Sequence, residues 1–104
     1  MVQIEILASD MLQSKQIAEF LLKEKLIIDV CITENQDFIE LRDGELTSSH
    51  KVLLTGKTKA LLFQDIDNKI KERYAHNMPL VWSLAITHMD WEQSEYLIKH
   101  TASV

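Results

Sequence analysis

The sequence contains one short motif whose residue types suit anion binding. Gly56-Lys57-Thr58 follows an apolar run and precedes a helical pattern. An ammonium group beside the amino end of a helix can hold a small anion, because unpaired backbone amides point outward there. Lys57 and Thr58 are therefore the candidate ligand-binding residues. A nucleotide-binding P-loop is not predicted, since that motif requires a glycine where the sequence has Lys51.

Signals for metal binding or catalysis are weaker. Cys31 is the only cysteine, so neither an internal disulfide nor a site built from several thiolates can form within one chain. The four histidines lack the close spacing of metal-binding motifs: His50, His76, His88 and His100. Spacings of Ser, His and Asp, or of paired carboxylates, do not exceed chance among 16 acidic residues, so no catalytic residue is predicted.

The composition disfavours several classes of function. The 104 residues include 11 Lys and Arg against 16 Asp and Glu, and the net charge of −5 does not favour binding to nucleic acid. The apolar stretches are far shorter than the roughly 20 residues of a membrane helix, and residues 1–7 lack the features of a secretory signal. We expect a soluble, cytoplasmic protein with no membrane or nucleic-acid partner, folded as one domain over residues 1–104.

Hydrophobic periodicity predicts four strands and three helices. Alternating apolar residues indicate the strands, and a capping residue before a helical apolar stripe indicates each helix start. Asp43-Gly44 is typical of a two-residue hairpin turn. The predicted elements, in chain order, are a strand over 2–8, a helix from Asp10 to about Lys25, strands over 27–41 and 46–58, a helix from Thr58 to about Tyr74, a strand over 80–87 inside the sheet and a helix from Asp90.

The two arms of the hairpin do not match in register. With a two-residue turn, Ile32 lies opposite Thr55 rather than Leu54, so the apolar side chains of the two arms do not point to the same face of the hairpin. Since side chains alternate between faces, an extra residue on either arm restores a common apolar face. A β-bulge is therefore predicted within 33–37 or within 47–51. Across the hairpin, His50 is expected to contact Asp37.

This order of elements predicts an α+β fold of the ferredoxin-like βαββαβ type, with a long central hairpin and an extra C-terminal helix. Right-handed crossovers place the first and third strands side by side. Each hairpin arm spans roughly 40 Å, whereas a helix of about 15 residues covers only about 22 Å. The outer arms, which carry Phe38, Ile39, Leu41 and Leu46, need cover from another molecule. Self-association is therefore predicted.

Several features occur in an order and spacing that match one known family. They are the opening strand that ends at Ala8, the stretch 17–26, Gly44 at the hairpin, Leu53-Leu54 leading to Lys57-Thr58, Pro79, and Tyr96-Leu97 with Thr101. Together they resemble the CutA family of small divalent-ion-tolerance proteins over nearly the whole chain. The resemblance implies a ferredoxin-like protomer joined as a tight homotrimer through its hairpins, related in architecture to the PII signalling proteins. Members are linked to tolerance of copper and other divalent ions, without an established reaction.

The departures from the family pattern fall where a ligand would bind. Asp29 stands where the family has cysteine and Cys31 where it has asparagine, while Glu40 and Arg42 replace a tyrosine and a tryptophan. His76 lies in the loop that corresponds to the family's proposed pocket, which Asp29 and Cys31 would approach from a neighbouring strand. Imidazole, thiolate and carboxylate together suit copper or zinc. His76, Cys31 and Asp29 are therefore the candidate metal ligands.

Three hypotheses for function follow. The first is a non-enzymatic homotrimer associated with divalent metal ion tolerance, whose clefts between protomers bind a metal ion or a small anion. The second is a PII-like small-ligand sensor that acts through a protein partner and needs a long mobile loop. The third is a small ferredoxin-like enzyme with a cryptic site. Trp82, between Leu80 and Leu84, is expected to pack in the core rather than to stack on a ligand.

Overall fold

The computed structural model describes residues 1–104, which form one four-stranded antiparallel sheet with helices packed against it. The elements are β1 (Val2–Ala8), α1 (Met11–Lys23), β2 (Cys31–Arg42), β3 (Glu45–Thr58), a 3₁₀ turn (Ala60–Leu62), α2 (Phe63–Arg73), β4 (Leu80–Ala85) and α3 (Trp91–His100). The strand order is β2-β3-β1-β4, with β1 and β3 adjacent in the middle. The predicted ferredoxin-like α+β fold, with its long central hairpin and additional C-terminal helix, is confirmed.

The core lies between the sheet and the helices α1 and α2. Alternate residues of β1 and β3 point toward the helices, and residues four apart on each helix point back toward the sheet. The members of this core with no more than 1% exposure are Ile4, Ile6, Ile17, Leu21, Leu54, Ile66 and Ile70. Burial of each such side chain stabilises the fold by about 1.5–3 kcal/mol. The apolar residues of the sequence therefore determine which side of each helix and which face of the sheet are buried.

Two aspartate caps begin helices as predicted. Asp10 Oδ1 accepts a hydrogen bond from the Gln13 amide at 2.8 Å, and Asp90 Oδ2 accepts one from the Gln93 amide at 3.3 Å. Gln13 Oε1 also accepts from the Ser9 amide at 2.9 Å. Each cap satisfies an amide that has no partner within the helix.

The predicted β-bulge is confirmed in the first arm of the hairpin. Thr33 pairs with Leu53 and Gln36 pairs with Lys51, so β2 contains an extra residue between these pairs. Asn35 adopts a left-handed backbone conformation with φ of 58°, which asparagine tolerates better than most residues. Beyond the bulge, the two arms again share one apolar face.

The outer half of the hairpin extends past the rest of the sheet. β1 pairs with β3 only as far as Val52, so the part of β3 before that residue pairs with β2 alone. Asp43 and Gly44 form the whole turn and both have positive φ, as a type I′ turn requires. His50 Nδ1 lies 3.1 Å from Asp37 Oδ1, which confirms the predicted contact.

The second strand begins later than predicted. β2 starts at Cys31 rather than at residue 27. Leu26 and Ile27 are consecutive and only 3% and 2% exposed, so both point into the core, which the alternation of a strand does not allow. The amide of Ile28 donates a hydrogen bond to the carbonyl of Lys57 at 3.0 Å. This irregular segment is thereby attached to the end of β3.

Thr58 does not cap the second helix, contrary to the prediction. It is the last residue of β3, it is fully buried, and its Oγ1 donates a hydrogen bond to the Leu26 carbonyl at 2.6 Å. The chain enters α2 through the 3₁₀ turn, where Lys59 makes no side-chain cap. Lys59 Nζ instead donates to the carbonyls of Thr101 and Ala102 at 3.3 and 2.9 Å, which holds the end of α3 against the sheet.

We expect Thr58→Val to lower the free energy of unfolding by about 1–3 kcal/mol, because the Leu26 carbonyl then loses its buried donor. The shape of the side chain is nearly unchanged, so packing contributes little. Urea unfolding at fixed protein concentration measures the difference. Thr87→Val is the matched control at an exposed position, and an equal effect in both variants would contradict this role of the hydroxyl.

β4 lies at an edge of the sheet, not inside it as predicted. It pairs only with β1. Leu80, Trp82 and Leu84 are 46%, 36% and 50% exposed, so the prediction that Trp82 packs in the core is also wrong. Their neighbour Val81 pairs with the buried Ile6, which places the other three on the face away from α1 and α2. The sheet therefore has an open face that carries large apolar side chains.

Candidate functional site

An ion pair between Asp29 and Lys57 lies at the end of the sheet next to α3. Lys57 Nζ is 2.6 Å from Asp29 Oδ2, and the backbone amide of Lys57 donates to Asp29 Oδ1 at 3.1 Å. Both oxygens of the carboxylate are therefore engaged by the same residue. The side chain of Asp29 is 48% exposed and that of Lys57 is 34% exposed, so the pair remains accessible to a ligand.

Gly56 allows this pair to form. The carbonyl oxygen of Asp29 and the side chain of Ile27 occupy the space that a Cβ at position 56 would fill. The segment before β2 can therefore lie directly against β3, which brings the Asp29 carboxylate to Lys57. The contact joins residues 28 positions apart in the chain.

A cavity of about 480 Å³ opens between this ion pair and α3, and we call it the α3 cavity. Its apolar wall includes Ile28 and Leu97, and Tyr96 adds an aromatic ring. Asp90 and Glu92, at the start of α3, supply carboxylates on the other side. The site combines an apolar surface with several charged groups, the usual constitution of a small-molecule pocket.

The structure separates the two residues predicted to bind an anion. Lys57 lines the α3 cavity, whereas Thr58 is fully buried and its hydroxyl faces the Leu26 carbonyl. Lys57 also lies in β3, and α2 begins only at Phe63, so the amides at the start of the second helix that the sequence prediction invoked are not beside Lys57. A ligand-binding role for Lys57 stays a prediction.

Within one chain, the fold separates His76 from the other two candidate metal ligands, Asp29 and Cys31. Asp29 contacts Lys57, which pairs with Gln3, while the loop that contains His76 is tied to the opposite end of β1 by a 3.1 Å hydrogen bond from Asn77 Nδ2 to Ser9 Oγ. The intervening length of strand is roughly 20 Å. Within the chain, no group of three or more His, Cys, Asp or Glu side chains is positioned to hold a metal ion. A metal site formed by His76, Cys31 and Asp29 from different chains stays a prediction.

Cys31 lies on the open face of the sheet. It pairs with Thr55, which pairs with Glu5, which in turn pairs with Trp82, so these four residues form a row across the sheet. Trp82 Nε1 donates to Glu5 Oε1 at 2.7 Å, and Gln3 Nε2 donates to Glu5 Oε2 at 3.2 Å. A carboxylate held by two donors thus lies among apolar side chains on this face.

The roles of Glu5 and of the start of α3 were not predicted from the sequence. The alternation of β1 was enough to place Glu5 opposite the core, but its donors come from β1 and β4 and depend on the pairing of strands. Asp90 was assigned only a capping role, and Glu92 none. Their proximity to Asp29 depends on how α3 packs, for which the sequence carries no local signal.

A second depression, of about 670 Å³, lies on the outer surface between α1 and the end of α2. Three of its charged side chains contact neighbours. The Arg73 guanidinium lies 4.0 Å from the ring centre of Phe20, and Lys23 Nζ donates to Glu19 Oε1 at 2.6 Å. This hydrogen bond, together with the positive charge of Lys23, lowers the pKa of the Glu19 carboxyl.

None of the helices has the length and apolar character needed to cross a membrane.

The fold and its accessory features define a class: a ferredoxin-like α+β protein with a two-stranded extension and a C-terminal helix closing one end of the sheet. The family model of the CutA1 divalent ion tolerance proteins matches residues 2–100. The chain therefore belongs to the CutA1 family, and the family resemblance predicted from the sequence is confirmed.

Solved structures of the same family share the fold. The CutA1 protein of Oryza sativa is 20% identical with a TM-score of 0.92, over 99% of this chain and 94% of that one. The divalent cation tolerance protein of Thermus thermophilus is 23% identical with a TM-score of 0.89, over 98% and 100%. CutA1 of Pyrococcus horikoshii is 19% identical with a TM-score of 0.89, over 99% and 100%. No individually curated protein matches the sequence significantly.

Proposed function

We propose that the protein acts in divalent metal ion tolerance as a non-enzymatic homotrimer whose hairpins complete the sheets of neighbouring copies. The observation that carries this proposal is the exposed apolar surface of the outer hairpin. Ile39, Leu41 and Leu46 are 63%, 69% and 77% exposed in the single chain. A two-stranded ribbon with such side chains is marginal alone in water and prone to pair with further strands.

The position of these side chains supports assembly. By alternation along the paired arms, all three lie on the same side of the sheet as the helices but beyond the end of β1. The open face adds a second apolar surface, formed by Leu80, Trp82 and Leu84. β2 and β4 are the two free edges of the sheet, and strand pairing between copies would provide partners for the unpaired backbone groups of both strands.

The ligand in this proposal is a metal ion such as copper or zinc, or a small anion, held in clefts between protomers. His76 is exposed, and Asp29 and Cys31 lie at the start of the hairpin arm, so separate copies can bring them together. The hairpin turn consists of Asp43 and Gly44 alone, which leaves the PII-like alternative without a long docking loop. We place the protein in the cytoplasm, where an exposed lone thiol such as Cys31 remains reduced.

Light scattering of the purified protein tests the assembly. We expect a solution mass near three times 12.1 kDa at all concentrations that can be measured. A mass of 12.1 kDa that does not change with concentration would contradict the proposal.

Calorimetry with copper and with zinc tests the metal ligands. We expect His76→Ala to weaken binding by at least about tenfold, because an imidazole ligand is lost. His88→Ala is the matched control at another exposed histidine. Equal binding heats from wild type and His76→Ala would show that His76 is not a metal ligand. A solution mass below that of a trimer would instead contradict the assembly, so the two parts of the proposal are tested separately.

A further inference from the structure

The α3 cavity has the size and the apolar wall of a small-ligand site. Its volume of about 480 Å³ lies within the range of ligand pockets, roughly 300–1,000 Å³. Leu97 in its lining is 1% exposed. Tyr96 is 58% exposed; its ring centre lies 4.2 Å from that of His100, and the rest of the ring is open to a bound molecule.

The charges that line the cavity favour a positively charged ligand over a negatively charged one. Three carboxylates, those of Asp29, Asp90 and Glu92, face a single ammonium, that of Lys57. The ammonium is already bound by Asp29 at 2.6 Å. The whole chain also carries a net charge of −5, so an anion would meet a repulsive field both near the cavity and far from it.

Glu92 is the carboxylate that remains free. Both oxygens of Asp29 are engaged by Lys57, and Asp90 caps α3. Glu92 takes part in none of the ion pairs of the chain. A bare metal ion does not suit this arrangement, because no three carboxylates in the chain are grouped to hold one. An organic cation requires only one free carboxylate, and an aromatic ring such as that of Tyr96 attracts it further.

We propose that the α3 cavity binds a small organic cation, namely a primary amine attached to an aromatic or aliphatic group. Its ammonium donates hydrogen bonds to the Glu92 carboxylate, and its apolar part lies against Ile28, Tyr96 and Leu97. This site shares Asp29 and Lys57 with the residues considered for the metal ion and the anion, but its ligand contacts are different and its ligand is an organic cation.

Titration with phenethylamine, followed by nuclear magnetic resonance of the assembled protein, tests the proposal. Phenylacetate is the matched probe, because it has a similar size and the opposite charge. We expect shifts in Ile28, Tyr96 and Leu97 with phenethylamine and none with phenylacetate. Higher salt is expected to weaken amine binding, since the ionic contact is partly exposed.

Substitutions in α3 separate this site from general attraction to an acidic protein. We expect Glu92→Gln to weaken phenethylamine binding about tenfold or more. Glu95→Gln removes the same charge from the same helix outside the cavity, and we expect it to leave binding unchanged. Circular dichroism and solution mass establish that both variants remain folded and assembled.

Three results would overturn the proposal: no shift with phenethylamine, equal binding of phenylacetate, or equal affinity in Glu92→Gln and Glu95→Gln. Displacement of the amine by zinc at micromolar concentration would instead assign the cavity to a metal ion. A trimer that binds no amine would leave the proposed function intact and remove only this inference.

Discussion

Gly56→Ala is expected to destabilise the protein by about 3 kcal/mol or more. The new Cβ would overlap the carbonyl oxygen of Asp29 and the side chain of Ile27. One of these is backbone, and the other is 2% exposed, so neither can move aside at little cost. The segment before β2 must shift, and the Asp29–Lys57 pair shifts with it.

Urea unfolding measures this loss, and the exchange rate of the Lys57 amide reports the local displacement. Gly44→Ala is the control, because nothing lies within 4 Å of a Cβ there and only the positive φ of 81° is strained. We expect that variant to lose about 1 kcal/mol. A smaller loss in Gly56→Ala than in Gly44→Ala would show that β3 and the Asp29 segment are not packed as described.

Replacing Leu41 and Leu46 together with aspartate is expected to convert the proposed trimer into monomers. The two leucines pair across the hairpin and are 69% and 77% exposed in the single chain, so the change leaves the fold of a protomer intact. In the proposed assembly the same positions are covered, and two unpaired carboxylates there cost several kcal/mol per protomer. The expected solution mass falls to 12.1 kDa.

Light scattering and circular dichroism, taken on the same sample, decide between dissociation and unfolding. Thr87→Asp adds a carboxylate at an exposed position outside the hairpin and is expected to keep the trimer mass. A double variant that stays trimeric would show that the hairpin tip is not part of the interface.

Much of the fold was predictable because single segments determine it. That the hairpin contains a bulge follows from the apolar pattern, since the apolar faces of the two arms disagree unless one arm has an extra residue. The pattern allowed either arm, and the structure places the bulge between Thr33 and Gln36. Asp10 and Asp90 were recognisable as caps because the donors they serve are three residues away. These features depend on local spacing, which the sequence displays directly.

The errors concern tertiary contacts. Thr58 was expected to cap a helix, but its hydroxyl donates a hydrogen bond to the buried carbonyl of Leu26, 32 residues earlier. β4 has the two apolar faces of an interior strand and yet pairs only with β1, and the apolar side chains on one of its faces are exposed in the single chain. Apolar residues that a core buries and apolar residues that the chain leaves exposed have the same pattern in a sequence.

The candidate site was predictable only in part, for the same reason. Lys57 and Asp29 were both singled out, but for two different ligands, and their direct contact depends on the space left by Gly56. His76 was grouped with Asp29 and Cys31 by family resemblance, whereas the fold places it at the other end of β1. Glu92 carried no signal, since its importance comes from the position of a helix.

The extra residue at Asn35 constrains how the ribbon can change length in evolution. It absorbs the one-residue difference between the two arms, so Ile32 stays opposite Leu54 while Leu41 stays opposite Leu46. Losing that residue would remove the bulge and leave both of these pairs, and the apolar face they share, unchanged. A single-residue deletion should therefore be tolerated at this point of the arm, where the ladder can close without turning any apolar side chain to the other face.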